Sequence, residues 1–496
     1  MTDLPDLAPR LRAALSAADF TYDSVAELLG PRAYVALERN ETTPGLRRTA
    51  DGSALATLVR LFLLQTPVPD NHVERALPGL VDALADEGLL ARSGGETVAL
   101  LDVRPYSADG LDLWVVSDLT PGLDGAVNRV AADHVLGISS ASTSLAQLTL
   151  RHPVVSALDL GTGCGVQALH LSTHSARVVA TDVNQRALWV ARFNSALNGV
   201  LDGVIDVREG SFFEPVAGET FDLIATNPPF VISPATDAHL VYRDSGLPGD
   251  KVVEDLVRAA PAHLNPGGWC QVLANWVITW DRPWDERLAG WLGDGCDALV
   301  VQREVLDPAA YVALWLKDSG DYGGPEHAAR YDRWLGWFDE QGVEGIGFGW
   351  VNLRRQTDGG TAPTHELLEW PYDVEQPIAP AIAAWAEAVD LLASELDLAA
   401  LRLFAAADLV QETQGPAGAE DPSTIVLRLQ RGLRRARQAD TVEAALVGAC
   451  DGDLTIGQIL DALAELLDRE PAGLREDYLP VVRQLVAQGF LKGQGR

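Results

Sequence analysis

The spacing of apolar positions changes twice along the chain, near residue 110 and near residue 357. Before residue 110, apolar side chains recur at helical spacing, and an alternating run at 96–106 then predicts a strand. From 110 to about 356, β-branched runs alternate with helical patterns, which is typical of a parallel sheet with helical crossovers. Beyond 357, a hairpin and two further helices are predicted. The pattern therefore predicts three domains, 1–109, 110–356 and 357–496.

Seven strands are predicted for the central domain, and their apolar runs indicate a sheet that is covered on both faces. They are VVSALDL, RVVATDV, VIDVREG, FDLIATN, WCQVLANWV, DALVVQREV and EGIGFGWVNLRR. A Trp- and Tyr-rich stretch at about 308–341 predicts a helical insertion before the last strand. The fold class is therefore α/β, and both flanks, with several helices followed by a turn and a strand, are predicted to be mainly helical and winged-helix-like.

The composition narrows the classes of partner. The net charge is 38 − 70 = −32, which opposes the approach of a polyanion and favours a protein over a nucleic acid. An arginine-rich run at 428–437 fits a solvated face or pairing with carboxylates better than RNA binding. The N-terminal helix that would enter a DNA groove carries Asp82, Asp86 and Glu87, which argues against DNA.

The sequence carries no pattern typical of a metal site, a membrane span or a secretion signal. Four scattered cysteines form no CxxC pair and have no histidine at ligand spacing, so we expect neither disulfides nor a metal site. The N-terminus lacks the features of a signal peptide, and the apolar runs are too short to span a bilayer. We therefore expect a cytoplasmic protein without a membrane partner.

Candidate chemistry begins at the end of the first central strand, in DLGTGCG at 159–165. Alternate glycines let the backbone turn sharply and approach a ligand beside a helix N-terminus. The order DxGxGxG differs from the dinucleotide motif GxGxxG, and its acid suits an ammonium group, which S-adenosylmethionine presents. Asp182 ends the next strand and is predicted to accept ribose hydroxyls, with Val183 against the adenine. The alternative is that Asp182 caps the following helix.

The segment Asn227-Pro228-Pro229-Phe230 directly follows the strand FDLIAT. Its two prolines fix the backbone and remove two N–H donors. The Asn227 amide oxygen and the carbonyl of Thr226 or Pro228 then remain as acceptors for a substrate NH2 group. Phe230 can stack on a planar amide or base. The alternative is an ordinary turn.

Together, DLGTGCG, ATDVN, ARFNSALNG and NPPF resemble the class I S-adenosylmethionine-dependent methyltransferases that carry an Asn-Pro-Pro-aromatic signature. The resemblance covers roughly residues 130 to 280. Within this class the chain looks most like the HemK/PrmC group, which methylates a glutamine amide of release factors. It is also similar to ribosomal-RNA guanine-N2 and adenine-N6 enzymes. The resemblance implies a Rossmann-like, seven-stranded methyltransferase domain and S-adenosylmethionine as the cofactor.

The resemblance also implies roles for individual residues. The methionine part would be held by Asp159, Gly161, Gly163 and Gly165, the ribose by Asp182, and the target nitrogen by Asn227 with Pro228, while Ser211 and Phe212 would border the adenine. Beside these, Thr162, Val183 and Asn227 are also expected to bind the cofactor, and Phe230 to take part in catalysis. Ser211 departs from the family pattern, in which an aspartate commonly contacts the adenine amino group.

Three functions are compatible with these residues. The first is an N-methyltransferase that acts on a protein glutamine or a similar amide. The second is an RNA base methyltransferase whose end domains and arginine run grip RNA. The third is a cofactor-binding scaffold without catalysis, against which the intact Asn227 to Phe230 segment argues.

Overall fold

The computed structural model describes residues 4–108, 110–126, 130–201, 203–234, 246–318, 324, 326–357, 362–394, 396–417 and 422–493. The chain divides into two compact units, Met1–Ala146 with His152–Glu369 and Gln147–Arg151 with Trp370–Arg496. Among the described residues, none of the helices has the length and apolar character needed to cross a membrane.

Within the described residues, the first unit begins with six helices. They are α1 (Leu4–Ala17), α2 (Tyr22–Glu38), α3 (Thr43–Arg48), α4 (Ala54–Leu58), α5 (Asp70–Ala76) and α6 (Val81–Asp86), and a π-helical turn at Val59–Leu63 continues α4. Side-chain caps begin two of them, since Thr21 and Ser53 accept backbone N–H groups of the first turns of α2 and α4. Their apolar stripes pack into one core, in which Phe20 and Phe62 are fully buried.

Short strands follow these helices and form two small antiparallel sheets. The strands are β1 (Val68–Pro69), β2 (Leu90–Ser93), β3 (Glu96–Ala99), β4 (Leu101–Ala108) and β5 (Leu111–Asp118). The first sheet has the order β1-β3-β2, and β4 and β5 form a hairpin. The alternating run at 96–106 is therefore two strands in different sheets, because the chain bends at Leu100, whose N–H bonds the Leu89 carbonyl. The hairpin also spans the position of the predicted boundary at 109.

A mixed sheet follows, to which the described residues contribute eight strands. They are β6 (Val154–Leu160), β7 (Ser175–Asp182), β8 (Ile205–Glu209), β9 (Phe221–Thr226), β10 (Leu264–Thr279), β11 (Cys296–Leu306), β12 (Val343–Arg355) and β13 (His365–Glu369). Their order is β13-β11-β12-β10-β9-β6-β7-β8. Strand β12 is antiparallel to both neighbours, whereas the other pairs are parallel. The expected Rossmann-like architecture is present.

The expectation of a seven-stranded sheet is corrected to eight strands. All seven predicted strands are present, and β13 is the additional one, pairing in parallel with β11 so that His365 lies opposite Ala298. It falls in the segment that the sequence assigned to the C-terminal domain beyond 356. Its five residues are half-buried apart from the exposed Glu369, so no alternation of buried and exposed positions marks it as a strand.

One helix, α7 (Ser140–Leu148), precedes the first strand of this sheet, and the others connect its strands. They are α8 (Val166–Leu171), α9 (Gln185–Leu197), α10 (Lys251–Ala259), α11 (Trp284–Ala289), α12 (Pro308–Asp318) and α13 (His327–Glu340). Helices α12 and α13 lie between β11 and β12, in the stretch for which an insertion is predicted, and we refer to residues 308–340 as the insertion. Their aromatic side chains, which include Tyr311, Trp334 and Phe338, pack into one core with residues of β10, β12 and the segment that follows β9.

The second unit contains four helices and five short strands among its described residues. They are α14 (Ala379–Ala393), β14 (Phe404–Ala405), β15 (Leu409–Gln414), β16 (Thr424–Leu429), β17 (Ala436–Ala439), α15 (Thr441–Gly448), α16 (Ile456–Leu466), α17 (Pro471–Ala487) and β18 (Leu491–Lys492). The predicted hairpin is present as β15 and β16. Within the arginine-rich run, Arg428 pairs with Glu412 at 2.8 Å and Arg437 pairs with Glu443, as the sequence favoured.

Asn194 of α9 joins the hairpin to the glycine-rich segment that follows β6. Its side chain is fully buried, and its amide nitrogen donates to the carbonyls of Val116 and Cys164 at 2.8 Å each. Its amide oxygen accepts the Val116 N–H at 2.8 Å. One side chain therefore satisfies three buried backbone groups.

We predict that Asn194→Ala lowers the free energy of unfolding of the first unit by about 3 kcal/mol, because buried backbone groups lose their partners. Asn71→Ala is the matched control, since the side chain of Asn71 is exposed on α5. Urea unfolding measures both variants. An Asn194→Ala variant as stable as the control would show that Asn194 does not stabilise the contact between the hairpin and the glycine-rich segment.

Candidate active site

A cavity of about 390 Å³ lies at the carboxyl ends of the central strands. It is lined by residues within 134–142, 159–167, 181–187, 210–212 and 227–229. The strand order reverses here, because β6 leads to β7 on one side while its other neighbour, β9, leads to β10. Ligands of open α/β sheets bind at such a reversal, and the volume suits a small molecule.

The glycine-rich segment forms one wall of this cavity. Gly161, Gly163 and Gly165 have φ values of 78°, 52° and 83°, which disfavour other residues. A Cβ atom added at Gly161 or Gly163 would meet no atom within 4 Å. At Gly165 it would lie 3.1 Å from Ala191 of α9. The first two glycines therefore leave the backbone open to a ligand, and the third allows α9 to pack closely.

Asp159 is the penultimate residue of β6 and precedes this segment. Its side chain accepts the hydroxyl of Thr162 at 2.5 Å and the N–H of Ala168 at 2.9 Å. Burial raises the pKa of Asp159 to about 7, although both hydrogen bonds lower it, and the Asp182 carboxylate adds to the rise. A cationic group in the cavity would favour the ionised form.

Asp182 ends β7 and binds two backbone groups. Its carboxylate accepts the N–H of Gly163 at 2.9 Å and the N–H of Asn184 at 2.9 Å. The helix-cap alternative is wrong, because Asn184 caps α9 by accepting the Arg186 N–H. Each carboxylate oxygen keeps a second lone pair for a ligand hydroxyl. Val183 beside it is 51% exposed and lines the cavity.

The charge of the cavity favours a cation over a polyanion. Burial raises the pKa of Asp182 as well as that of Asp159. A positive group in the cavity would therefore stabilise the ionised form of both carboxyls. The Cys164 thiol also lines the cavity, and burial raises its pKa to about 11. It is therefore protonated at neutral pH and is not an activated nucleophile.

Ser211 and Phe212 both line the cavity, in the segment that follows β8. The N–H of the preceding Gly210 donates to the Asp182 carbonyl at 3.0 Å, which holds this segment against the end of β7. Phe212 has a left-handed backbone, with a φ of 46°. The structure thus brings both predicted adenine-bordering residues to the same cavity as Asp182 and Val183.

Asn227 lies where β9 ends, and its neighbour fixes that strand end. The Thr226 hydroxyl is fully buried and donates to the carbonyl of Leu160 at 2.7 Å. The side-chain oxygen of Asn227 is buried and has no hydrogen-bond partner among the residues that the structure describes. Because an unpaired buried acceptor is destabilising, this oxygen indicates a site for an N–H or O–H group of a ligand.

The remaining residues of the motif are divided between the cavity and the core. Pro228 and Pro229 line the cavity with Asn227. Phe230 packs against the core of the sheet and is not one of the residues that line the cavity. The structure therefore does not bring Phe230 to the wall where a stacking partner of the ligand was expected.

The segment at 134–142 also lines the cavity, and sequence reasoning missed how it is held. Asp118 at the end of β5 accepts the Val135 N–H at 2.8 Å and forms an ion pair with Arg186 of α9. Gln167 of α8 donates to the Ser142 carbonyl at 2.6 Å. These contacts join residues 17 to 68 positions apart, so no local sequence pattern predicts them.

Two parts of the chain match known domain families. Residues 137–285 match the methyltransferase small domain. Residues 17–100 match a domain of unknown function, DUF7059. The first match contains the glycine-rich segment, both acids, Ser211, Phe212 and the Asn227 segment.

Three curated relatives show similarity to this part of the chain. A release factor glutamine methyltransferase of Xylella fastidiosa is 39% identical over 130 residues, which are 24% of this chain and 46% of the relative. A ribosomal protein uL3 glutamine methyltransferase of Bradyrhizobium diazoefficiens is 38% identical over 130 residues, 24% of this chain and 40% of the relative. Ribosomal RNA small subunit methyltransferase C of Salmonella arizonae is 33% identical over 183 residues, 36% of this chain and 45% of the relative.

The chain spans less than half the length of each of these relatives. The resemblance to class I methyltransferases, and within them to glutamine and ribosomal-RNA methyltransferases, is confirmed over the matched region.

We predict that Asp159→Asn stabilises the ligand-free protein increasingly as the pH rises. The folded pKa of about 7 lies above the ordinary value of 3.8, so folding of the wild type becomes less favourable between about pH 4 and 7. The variant lacks this loss, and its advantage grows to about 4 kcal/mol above pH 7.

Thermal unfolding from pH 4 to pH 8 measures this difference. Asp112→Asn, at an exposed position of the hairpin, is the control and should follow the wild type throughout. An Asp159→Asn variant whose advantage stays constant across the range would show that Asp159 is not held in a raised-pKa environment.

Proposed function

We propose that the chain is an S-adenosylmethionine-dependent N-methyltransferase that acts on a planar nitrogen. The observation that carries this proposal is the buried, unpartnered side-chain oxygen of Asn227 on the wall of a cavity that both Asp159 and Asp182 line. An acceptor for an N–H group then lies in the same cavity as a site for a cationic ligand. The matched methyltransferase domain and the names of the relatives support it.

The residues present fit S-adenosylmethionine. The open backbone at Gly161 and Gly163 and the acid Asp159 would hold the methionine part, whose ammonium offsets the cost of ionising a buried carboxylate. Asp182 would accept the ribose hydroxyls through its remaining lone pairs, and exposed Val183 would cover one face of the adenine. Gly165 and Thr162 would also contact the methionine part, and Ser211 and Phe212 would border the adenine.

When bound, S-adenosylmethionine supplies a methyl group that its sulfonium already activates. The protein must then position the acceptor nitrogen, whose lone pair is delocalised in an amide or aryl amine. The Asn227 oxygen and the Pro228 carbonyl would accept its N–H groups and stabilise the positive charge that develops on it. Proton loss to water afterwards requires no strong base in the site. Phe230 would act through the packing of this segment rather than through stacking, given its contact with the core.

The acceptor we favour is a glutamine side-chain amide of a protein. Two of the relatives named above are glutamine methyltransferases, and the net charge of −32 opposes a polyanionic acceptor. An RNA base is the second candidate, because the ribosomal-RNA methyltransferase similarity extends over 183 residues rather than 130.

We also propose roles for the flanking regions and a location. We propose three domains with winged-helix-like flanks, of which the N-terminal one would dock or present the acceptor. The cytoplasm is the proposed location, since the relatives are named for release factors, a ribosomal protein and ribosomal RNA.

The deciding experiment offers methyl-labelled S-adenosylmethionine with three separate acceptors, a release factor, ribosomal protein uL3 and ribosomal RNA, and in a further sample with whole lysate. We expect label in a protein acceptor that protease removes and nuclease does not. Label that only nuclease removes would transfer the proposal to RNA. Binding of the cofactor without label in any acceptor or in whole lysate would favour the non-catalytic scaffold.

We predict that Asn227→Ala lowers turnover about 100-fold or more while the dissociation constant of the cofactor changes little, since an aimed polar group acts mainly in the transition state. Asn265→Ala is the matched control on the same sheet, because Asn265 lies at the opposite, amino end of β10 and bonds Asp222. Steady-state kinetics and cofactor titration measure both. Normal turnover in Asn227→Ala would rule out this mechanism.

A further inference from the structure

The segment from Asn227 to Ile232, which we call the acceptor loop, packs against the insertion and is hydrogen-bonded to one of its side chains. We propose that Tyr311 of α12 is a positioning residue that holds the acceptor loop in place. This inference rests on the proposed function, because that function gives Asn227 its role at the acceptor nitrogen. Tyr311 itself does not line the cavity.

The contact between Tyr311 and the loop is a direct hydrogen bond. The Tyr311 hydroxyl accepts the backbone N–H of Ile232 at 2.8 Å. It also accepts the side-chain amide of Asn275 on β10 at 3.4 Å. Tyr311 and Ile232 are fully buried, and Asn275 is nearly so. Because water does not reach this N–H, the tyrosine hydroxyl is the group that satisfies it.

The ring of Tyr311 is held rigidly, so the position of its hydroxyl is defined. Its centroid lies 6.1 Å from that of Phe338 on α13 and 5.8 Å from that of Phe348 on β12. Val231 and Ile232 belong to the same apolar core as these aromatic residues. The end of the acceptor loop is therefore packed into the insertion and hydrogen-bonded to it.

Asn227 thus lies between two fixed points. On one side the Thr226 hydroxyl binds the carbonyl of Leu160, and on the other the Ile232 N–H binds Tyr311. Two prolines stiffen the chain between them. Loss of either point would let the backbone around Asn227 shift, and small displacements of an aimed group are costly to catalysis. Tyr311 thereby contributes to methyl transfer although it does not line the cavity.

Tyr311→Phe tests this inference, because it removes the hydroxyl and keeps the ring. Tyr331→Phe is the matched control, since the Tyr331 hydroxyl donates to the Ala309 carbonyl at 2.7 Å within the same insertion. We expect the Ile232 amide of the full chain to exchange its hydrogen about 10-fold faster in Tyr311→Phe and not in Tyr331→Phe. With an acceptor that the wild type methylates, kcat should fall about 10-fold, while the KM for S-adenosylmethionine and the Tm match those of the control.

Equal exchange of the Ile232 amide in both variants, or equal kcat, would overturn the role of Tyr311. A fall in kcat together with a Tm below that of Tyr331→Phe would assign Tyr311 to the stability of the fold. That result would also overturn its role as a positioning residue. Failure of the proposed function is recognised separately, because the wild type would then methylate no acceptor. In that case the hydrogen-exchange comparison alone decides whether Tyr311 holds the loop.

Discussion

The reversal of strand order between β6 and β9 is the constraint on which the rest of the site depends. It leaves a crevice at the carboxyl edge of the sheet, because the connections from these neighbouring strands depart in opposite directions. The hydrogen bond from Thr226 to Leu160 fixes the two strand ends that border the crevice. Asp159 lies just before one of these ends and Asn227 just after the other, so this hydrogen bond sets the separation between the acidic end of the cavity and Asn227.

Two acids in one buried cavity decide which class of ligand the site selects. Asp182 accepts two backbone N–H groups, and Asp159 accepts one backbone N–H and the Thr162 hydroxyl. Burial still raises the pKa of both acids, because these bonds do not fully replace water. A positively charged ligand completes what the backbone leaves unfinished, whereas a diphosphate would add repulsion. The two acids and the overall charge of −32 have the same sign, so both favour a positively charged ligand.

Much of this arrangement follows from local sequence, and the exceptions have a common cause. The apolar runs predicted seven strands, and all seven are present in the sheet. The order DLGTGCG predicted a ligand-binding turn, and its glycines adopt positive φ. Strand β13 was missed because its five residues carry no alternation and owe their conformation to pairing with β11. Phe230 was expected at the ligand but packs on the sheet, since aromatic character alone does not decide between a core and a site.

The contacts around the cavity were the least predictable part. Asp118 and Tyr311 act on the site from 68 and 79 positions away in sequence, through an ion pair with Arg186 and a hydrogen bond to Ile232. Neither residue stands in a motif. Their roles arise from which strand ends and helices the fold brings together, which local periodicity does not encode.

The central claim is that the cavity selects S-adenosylmethionine, and calorimetric titration of the full chain tests it most directly. The account predicts that the wild type binds S-adenosylmethionine and its demethylated product and does not bind NAD. Asp182→Ala should weaken this binding at least about 10-fold through loss of charge-assisted bonds to the ribose, while Asp112→Ala on the exposed hairpin strand should not. Binding of NAD with no response to either sulfur nucleotide, or unchanged affinity in Asp182→Ala, would contradict the account.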